Sequence, residues 1–554
     1  MSTLIKMNFS QHNRPQFIAN AEITEFDLLV IGGGITGCGI ALDAALRGMK
    51  VALIEKKDFG FGTSSRSTKL IHGGLRYLKQ FELKLVRDVG RERAIVHRNA
   101  RHVVLPEKML LPIVKDGSLG KQSSSLGLLV YDVLAGVAKK EQRVMLNKHF
   151  TLEAEPLLDE AKVTGGGLYF EYRTDDARLV IELAKSAFSE GALLLNYCEA
   201  KKFVKNQSGK ISGIEVEDKT SNKTFTIKAK KTVNAAGPWV DVLRKEDGSL
   251  TGKRLQLTKG VHIVFPYEKI PLKQAVYFDT PDGRMIFAIP RNGITYVGTT
   301  DTVYNQEIDS PHAAKADVEY LLKAVNVMFP SVEVKAKDVV SSWAGLRPLI
   351  HEDGKSPSEL SRKDEIIIAP SGLISIAGGK LTGFRLMAEK VTNLVSKLLK
   401  EEGGSSFASC TTKKYLLSGG KFNSREDLEK NFDELRKNPA FIEIEYEKLR
   451  TLFHRYGSET HKVLYLLPKQ KSNNIDEQIL FAELDYCIAN ESVYHAEDFL
   501  VCRTGNLFFA HPQTVVFLDK IIEKLATEWQ WNNEQKASAL KSVSALFNEA
   551  VTFE

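Results

Sequence analysis

Gly32, Gly34 and Gly37 spell G-x-G-x-x-G, a spacing that lets backbone N–H groups close on a pyrophosphate at a helix N-terminus. Gly33, Ile35 and Thr36 fill the same turn. Glu55 ends the next apolar run, followed by Lys56, where a carboxylate accepts hydrogen bonds from ribose hydroxyls. A dinucleotide site follows from the set; the competing reading is a glycine-rich turn that only packs helix on strand. A second group of reactive side chains also stands beside glycines. His72 precedes Gly73 and Gly74, Lys380 follows Gly378 and Gly379, and Arg347 lies between Gly345 and Pro348. With His262, Arg76 and Arg362 they offer imidazoles that exchange protons near neutral pH and guanidinium forks that hold anions. The plain alternatives are core histidines bonded to carbonyls and surface ion pairs.

The elements that position these residues read clearly at the start of the chain. Residues 26–31 form a buried-strand run, a small-residue helix reaches Arg47, Gly48 stops it, and residues 50–55 give a second strand. This is a βαβ unit. Residues 58–70 read as a Ser/Thr/Gly loop and 75–98 as a helix. Short β-branched segments with turns between them fill 169–290, a polar stretch at 400–420 marks a boundary, and the remainder is helical by pattern. The dinucleotide motif by itself does not choose between NAD and FAD. Two further small-residue turns after strands favour FAD: Asn234-Ala235-Ala236-Gly237-Pro238-Trp239 and Gly378-Gly379-Lys380-Leu381-Thr382. A single motif of this quality implies one bound dinucleotide.

The 554 residues exceed what one core sustains, so two or three domains are expected. A net charge of +7 points to anionic substrates or lipid head groups rather than to nucleic acid, with solvated basic surface as the plain reading. The five cysteines form no C-x-x-C pair, which argues against a metal site or a disulfide framework and for a reducing compartment. No signal peptide and no membrane-spanning apolar run are read, so any membrane role is peripheral.

The run from Thr63 to Leu78, TSSRSTKLIHGGLRYL, is similar to the signature of the aerobic FAD-linked glycerol-3-phosphate dehydrogenases. Asp175 to Leu179, Asn234 to Trp239, Lys259 to His262, Gly298 to Asp301, Gly345 to Leu349, Gly378 to Thr382 and Glu497 to Leu500 match the family in order. One departure is Cys502, where many relatives carry an arginine. The resemblance implies an α/β protein: a Rossmann-like FAD-binding domain, a mixed-sheet substrate domain like that of D-amino-acid oxidase, and an α-helical C-terminal domain. The expected division is an N-terminal tail (1–25), an FAD domain (26–105, 150–245 and 341–405), a substrate domain (106–149 and 246–340) and a helical domain (406–554).

It further implies oxidation of sn-glycerol 3-phosphate to dihydroxyacetone phosphate by hydride transfer from C2 to a non-covalent FAD, with quinone as acceptor. Arg76, Tyr77, Arg347, Arg362 and Lys380 would bind the phosphate ester. His72 ranks above His262 as the base, with Lys380 polarising the oxygen. Thr63, Ser64, Ser65, Lys69, Leu70, Gly73 and Gly74 would wall the cofactor beside the two strand-end turns, and the Ala200 backbone would meet the adenine. Residues 119–140 and 387–400 are candidates for contact with the inner face of the cytoplasmic membrane, against a competing reading as core helices. A homodimer is compatible with the sequence. The rivals are an oxidase using O2 and giving H2O2, an amino- or hydroxy-acid oxidase of the same fold, and a non-catalytic flavin module.

Overall fold

The computed structural model describes residues 7–72, 83–115, 117, 142–351 and 364–553. Gly73, Gly74, Arg76, Tyr77, Arg362 and segment 119–140 lie outside the described residues. Two sheets organise the chain. In the first, Glu25–Ile31 lies between Lys223–Asn234 and Val51–Ile54, both parallel to it. Leu373–Ala377 continues the parallel order on one side and Leu193–Leu195 on the other, and Glu365–Ile368 closes an edge antiparallel. Parallel strands covered on both faces need continuous apolar sequence. Leu28, Leu29 and Val30 supply it and have no exposed surface. The helix Ile35–Leu46 covers this sheet; its small residues let it approach Phe384–Glu401 closely, and a Cβ on Gly39 would stand 3.1 Å from the Phe384 ring.

The second sheet is mixed. Leu255–Pro266 pairs with Ser341–Ile350, Ile294–Gly298 and Thr302–Val303, and the sheet runs on through Met285–Arg291, Ala275–Asp279, Val104–Val114 and Val163–Thr174 to Leu70–Ile71. The division expected from sequence assigned 150–245 and 341–405 to the FAD domain. Two of their strands, Val163–Thr174 and Ser341–Ile350, instead pair in the second sheet. Strand-forming pattern reports which residues alternate, not which partner supplies the hydrogen bonds.

The segment read as an N-terminal tail is docked from Met7 onward. The helix Arg14–Ile23 buries Phe17 and Ala21, Arg14 pairs with Asp218 at 2.6 Å, and the Ser10 hydroxyl donates to the Ile488 carbonyl at 2.7 Å. Segment 387–400 also resolves against the membrane reading. It lies in Phe384–Glu401, where Met387, Ala388, Val391, Val395 and Leu399 are buried in the core.

The C-terminal helices, among them Tyr446–Tyr456, Ile475–Asn490 and Leu518–Trp529, share a core with residues of the second sheet such as Val264, Tyr296 and Trp343. They attach to the nucleotide domain through charge as well as apolar contact. On the helix Asp176–Ser189, Arg178 makes a two-pronged pair with Glu491 at 2.5 and 2.6 Å and also binds Glu182, all without solvent exposure. Lys185 reaches Glu459 at 2.6 Å and Glu491 at 3.1 Å. Such pairs cost desolvation when formed but are expensive to break singly, so they fix the docking geometry.

His102 and His454 sit at the same junction. The His454 Nδ1 lies 3.1 Å from the His102 carbonyl, and burial pushes the His102 imidazole down to about 4 and that of His454 to about 3. An unfolded imidazole binds its proton near pH 6.5, so between that value and about 4 the unfolded chain holds the extra proton. Stability is therefore complete above pH 6.5 and lost as pH falls. For His102 alone the loss reaches about 2 kcal/mol by pH 5. Urea unfolding of wild type and His102→Gln at pH 7.5 and pH 5 should show the wild-type advantage shrinking by about that amount. An advantage that does not change with pH would contradict the assignment.

Candidate functional site

A cavity of about 870 Å³ lies between the two sheets. Its cofactor side is built from backbone. Gly32 has φ +112°, and a Cβ there would stand 2.6 Å from the Ala235 carbonyl oxygen; one on Gly37 would stand 1.8 Å from the Gly32 oxygen. Glycine is required at both positions for the turn to lie against the neighbouring strand end. Glu55 accepts N–H bonds from Gly33 at 2.7 Å and Lys57 at 2.9 Å, and burial raises its pKa while those bonds oppose the shift. The Ser64 hydroxyl accepts the Ile35 N–H at 2.9 Å at the mouth of the helix. Asp309 closes this end, taking the Lys56 ammonium at 2.6 Å and the Trp239 indole N–H at 2.7 Å.

The strand-end turns meet the same cavity through Ala235, Ala236, Gly237 and Trp239 on one strand and Gly379, Lys380, Leu381 and Thr382 on the other. Gly379 takes φ +84°, a conformation that favours glycine, and a Cβ there would fall 2.4 Å from the Met387 sulfur. Thr382 fixes His72 from both sides: its hydroxyl accepts the His72 N–H at 3.0 Å and donates to the His72 carbonyl at 3.1 Å.

The opposite wall comes from the second sheet. The Arg347 guanidinium donates to Thr299 Oγ1 at 2.8 Å and to the Thr300 carbonyl and Asp301 Oδ1 at 3.2 Å. Gly260 makes its space, because a Cβ there would lie 2.2 Å from Arg347 Nη2. His262 is stacked on Trp343 with ring centroids 4.8 Å apart and an interplanar angle of 10°. Burial, then the Arg347 and Lys69 charges, hold its pKa well below the usual imidazole value, so it is neutral at physiological pH.

Of the residues expected from sequence, Gly32, Gly34, Ile35, Thr36, Glu55, Lys56, Thr63, Ser64, Leu70, His72, Ala200, His262, Arg347 and the two strand-end turns line this one cavity. Gly33, Gly37, Ser65 and Lys69 do not. Gly33 and Gly37 shape the turn from behind, and the Ser65 hydroxyl is turned to the Phe61 and Gly62 carbonyls at 3.3 and 3.4 Å. Lys69 points away from the cavity into a buried pair with Asp176 at 2.6 Å. Residues that the motif reasoning passed over are Arg66, Thr68, Thr299 and Asp301, all in the wall. For the last two, Gly298 beside Thr299, in a segment already matched to the family, was the available signal.

Comparison with known proteins decides the family. Residues 27–388 match the FAD dependent oxidoreductase family and residues 410–536 the C-terminal domain of alpha-glycerophosphate oxidase. The aerobic glycerol-3-phosphate dehydrogenase of Bacillus subtilis is 49% identical, with 99% of each chain covered. The chain belongs to the aerobic, FAD-dependent glycerol-3-phosphate dehydrogenase family. The crystal structure of the Bacillus halodurans glycerol-3-phosphate dehydrogenase complexed with FAD superposes with a TM-score of 0.84 at 43% identity, covering 98% of this chain and 99% of that one. The L-alpha-glycerophosphate oxidase of Mycoplasma pneumoniae shares the fold, with a TM-score of 0.56 at 19% identity over 71% of this chain and 99% of its own.

The family cofactor is FAD, and the residues present fit it: two glycines that no side chain could replace, a helix mouth, and a carboxylate at the end of the second strand. Among the described residues no cluster of three or more His, Cys, Asp and Glu side chains could hold a metal. Because Gly260 makes room for the Arg347 fork, Gly260→Ala should displace the guanidinium while leaving the cofactor cradle intact. Substrate KM should rise by at least 10-fold, about 1.4 kcal/mol, with FAD content unchanged. An unaltered KM would show that Arg347 does not touch substrate.

Proposed function

We propose that the protein oxidises sn-glycerol 3-phosphate to dihydroxyacetone phosphate and delivers the electrons to a membrane quinone. The observation that carries this reading is a guanidinium fork, Arg347, facing the same cavity as the FAD cradle, with two imidazoles and an ammonium at its wall. A phosphate ester brings two negative charges, which a planar fork meets with parallel charge-assisted bonds. Arg347 would hold that phosphate with Arg76, Arg362 and Tyr77. The names of the relatives point to the same substrate.

Bound FAD, held non-covalently, supplies the two-electron acceptor for the hydride on C2. The chain's own groups do the rest. His72 and His262 are the candidate bases for the C2 hydroxyl proton, and Lys380 offers a positive charge to the oxygen as it becomes a carbonyl.

A quinone acceptor calls for a peripheral place on the inner face of the cytoplasmic membrane; among the described residues no helix is long and apolar enough to cross it. The match of residues 410–536 to an oxidase C-terminal domain favours a second reading, with O2 as acceptor and H2O2 as product. Peroxide yield against quinone reduction separates the two.

Glycerol 3-phosphate added without air should bleach the bound flavin within seconds, and D-amino acids and lactate should leave it yellow. Arg347→Gln, which removes a charge-assisted contact of about 1.5–3 kcal/mol, should raise KM roughly 10- to 100-fold. Bleaching by the carboxylates and not by the phosphate ester would reassign the substrate.

A further inference from the structure

The His262 ring lies in the cavity wall yet keeps 1% of its surface exposed, so an alcohol in the cavity meets little of it. What stands before it is Thr68. That residue is half-buried, lines the cavity and holds its hydroxyl 3.0 Å from His262 Nε2. The other ring nitrogen, Nδ1, is buried without a hydrogen-bond partner. The hydroxyl is therefore the one group among the described residues that hydrogen-bonds the ring, and it donates to Nε2 when the ring proton sits on Nδ1.

Both partners are held rigidly. Thr68 sits between two residues tied to one carboxylate: Asp176 accepts the Ser67 hydroxyl at 2.6 Å and the Lys69 ammonium at 2.6 Å. The Thr68 carbonyl accepts the Tyr296 hydroxyl at 3.2 Å, and the Ser67 carbonyl accepts the Trp343 indole N–H at 3.1 Å. Lys69 completes the turn in the left-handed region at φ +58°. The imidazole is stacked on Trp343 on one side, and on another Gly298 leaves no room for a side chain, since a Cβ there would fall 2.2 Å from His262 Cδ2. A hydrogen bond between two groups so confined suits the directed passage of a proton.

We propose that Thr68 is a catalytic residue whose hydroxyl carries the proton of the substrate alcohol to His262 Nε2. The inference rests on the substrate reading above and selects His262 over His72 as the final acceptor. In this step the C2 hydroxyl proton passes to Thr68 Oγ1 as the threonine's own proton passes to Nε2. The C2–H bond breaks with its electron pair, which leaves as hydride to the bound FAD, and C2–O becomes a carbonyl. The alcohol is oxidised by two electrons, the cofactor is reduced by two, and His262 ends protonated.

Anaerobic stopped-flow reduction of the FAD-loaded protein at saturating glycerol 3-phosphate tests this. Thr68→Val keeps the shape and removes the hydroxyl. It should slow flavin reduction by about 100-fold, the lower range for loss of general-base assistance, with KM and FAD content unchanged. Thr68→Ser restores a hydroxyl and should recover most of the rate, which a purely structural role for the side chain would not produce. Thr68→Val reducing as fast as an active wild type, or Thr68→Ser remaining as slow as Thr68→Val, overturns the step alone. A wild-type flavin that stays oxidised overturns the substrate reading and the step with it.

Discussion

Residues 58–69 form the loop that joins cofactor cradle to substrate wall, and buried ion pairs hold both of its ends. At one end Asp58 takes the guanidinium of Arg503 at 2.5 and 3.0 Å; at the other Lys69 pairs with Asp176. Between them Thr63 donates to the Leu346 carbonyl at 2.6 Å, one residue from the Arg347 fork, and Ser64 caps the helix of the glycine motif. The separation between dinucleotide and substrate thus depends on this loop. Charges buried to this degree tolerate no loss of a partner, so this pair ties the helical domain to the loop that borders the cavity. Arg503 comes from that domain, on a turn of π-helix, Asp498–Arg503.

The electrostatics of the cavity follow from the same architecture. Arg347 brings positive charge to the cavity wall, which suits an anionic substrate; burial, then the Arg347 and Lys69 charges, keep His262 neutral. A neutral imidazole can accept a proton, and the burial and charges that keep it neutral also make it a weaker base. Asp301 and Thr299 hold the Arg347 fork in place rather than cancel it, since the pair retains partial exposure toward the cavity.

The local parts of the site were legible in the sequence and the long-range parts were not. Gly32 to Gly37, Glu55 and the turns at Ala235 and Gly379 announce themselves because a strand, a tight turn and a helix lie within a few residues of one another. Thr68 carried no such mark: its partner, His262, is 194 residues away. Lys69 sits in a matched motif yet faces Asp176, because a positive φ turns it from the cavity. The helix at 387–400 has a lysine-rich face that suits a membrane in isolation, but its apolar stripe packs on the glycine-motif helix. In each case a side chain's direction is set by tertiary contact, which pattern and propensity do not encode.

On the proposed reading, C2 of a three-carbon phosphate ester lies against the flavin and gives up its hydrogen there. Single-turnover reduction with substrate deuterated at C2 measures that event directly. Flavin bleaching should be slower with deuterium than with protium at saturating concentration. Bleaching at equal rates would contradict hydride transfer from C2 as the rate-setting chemistry at this site.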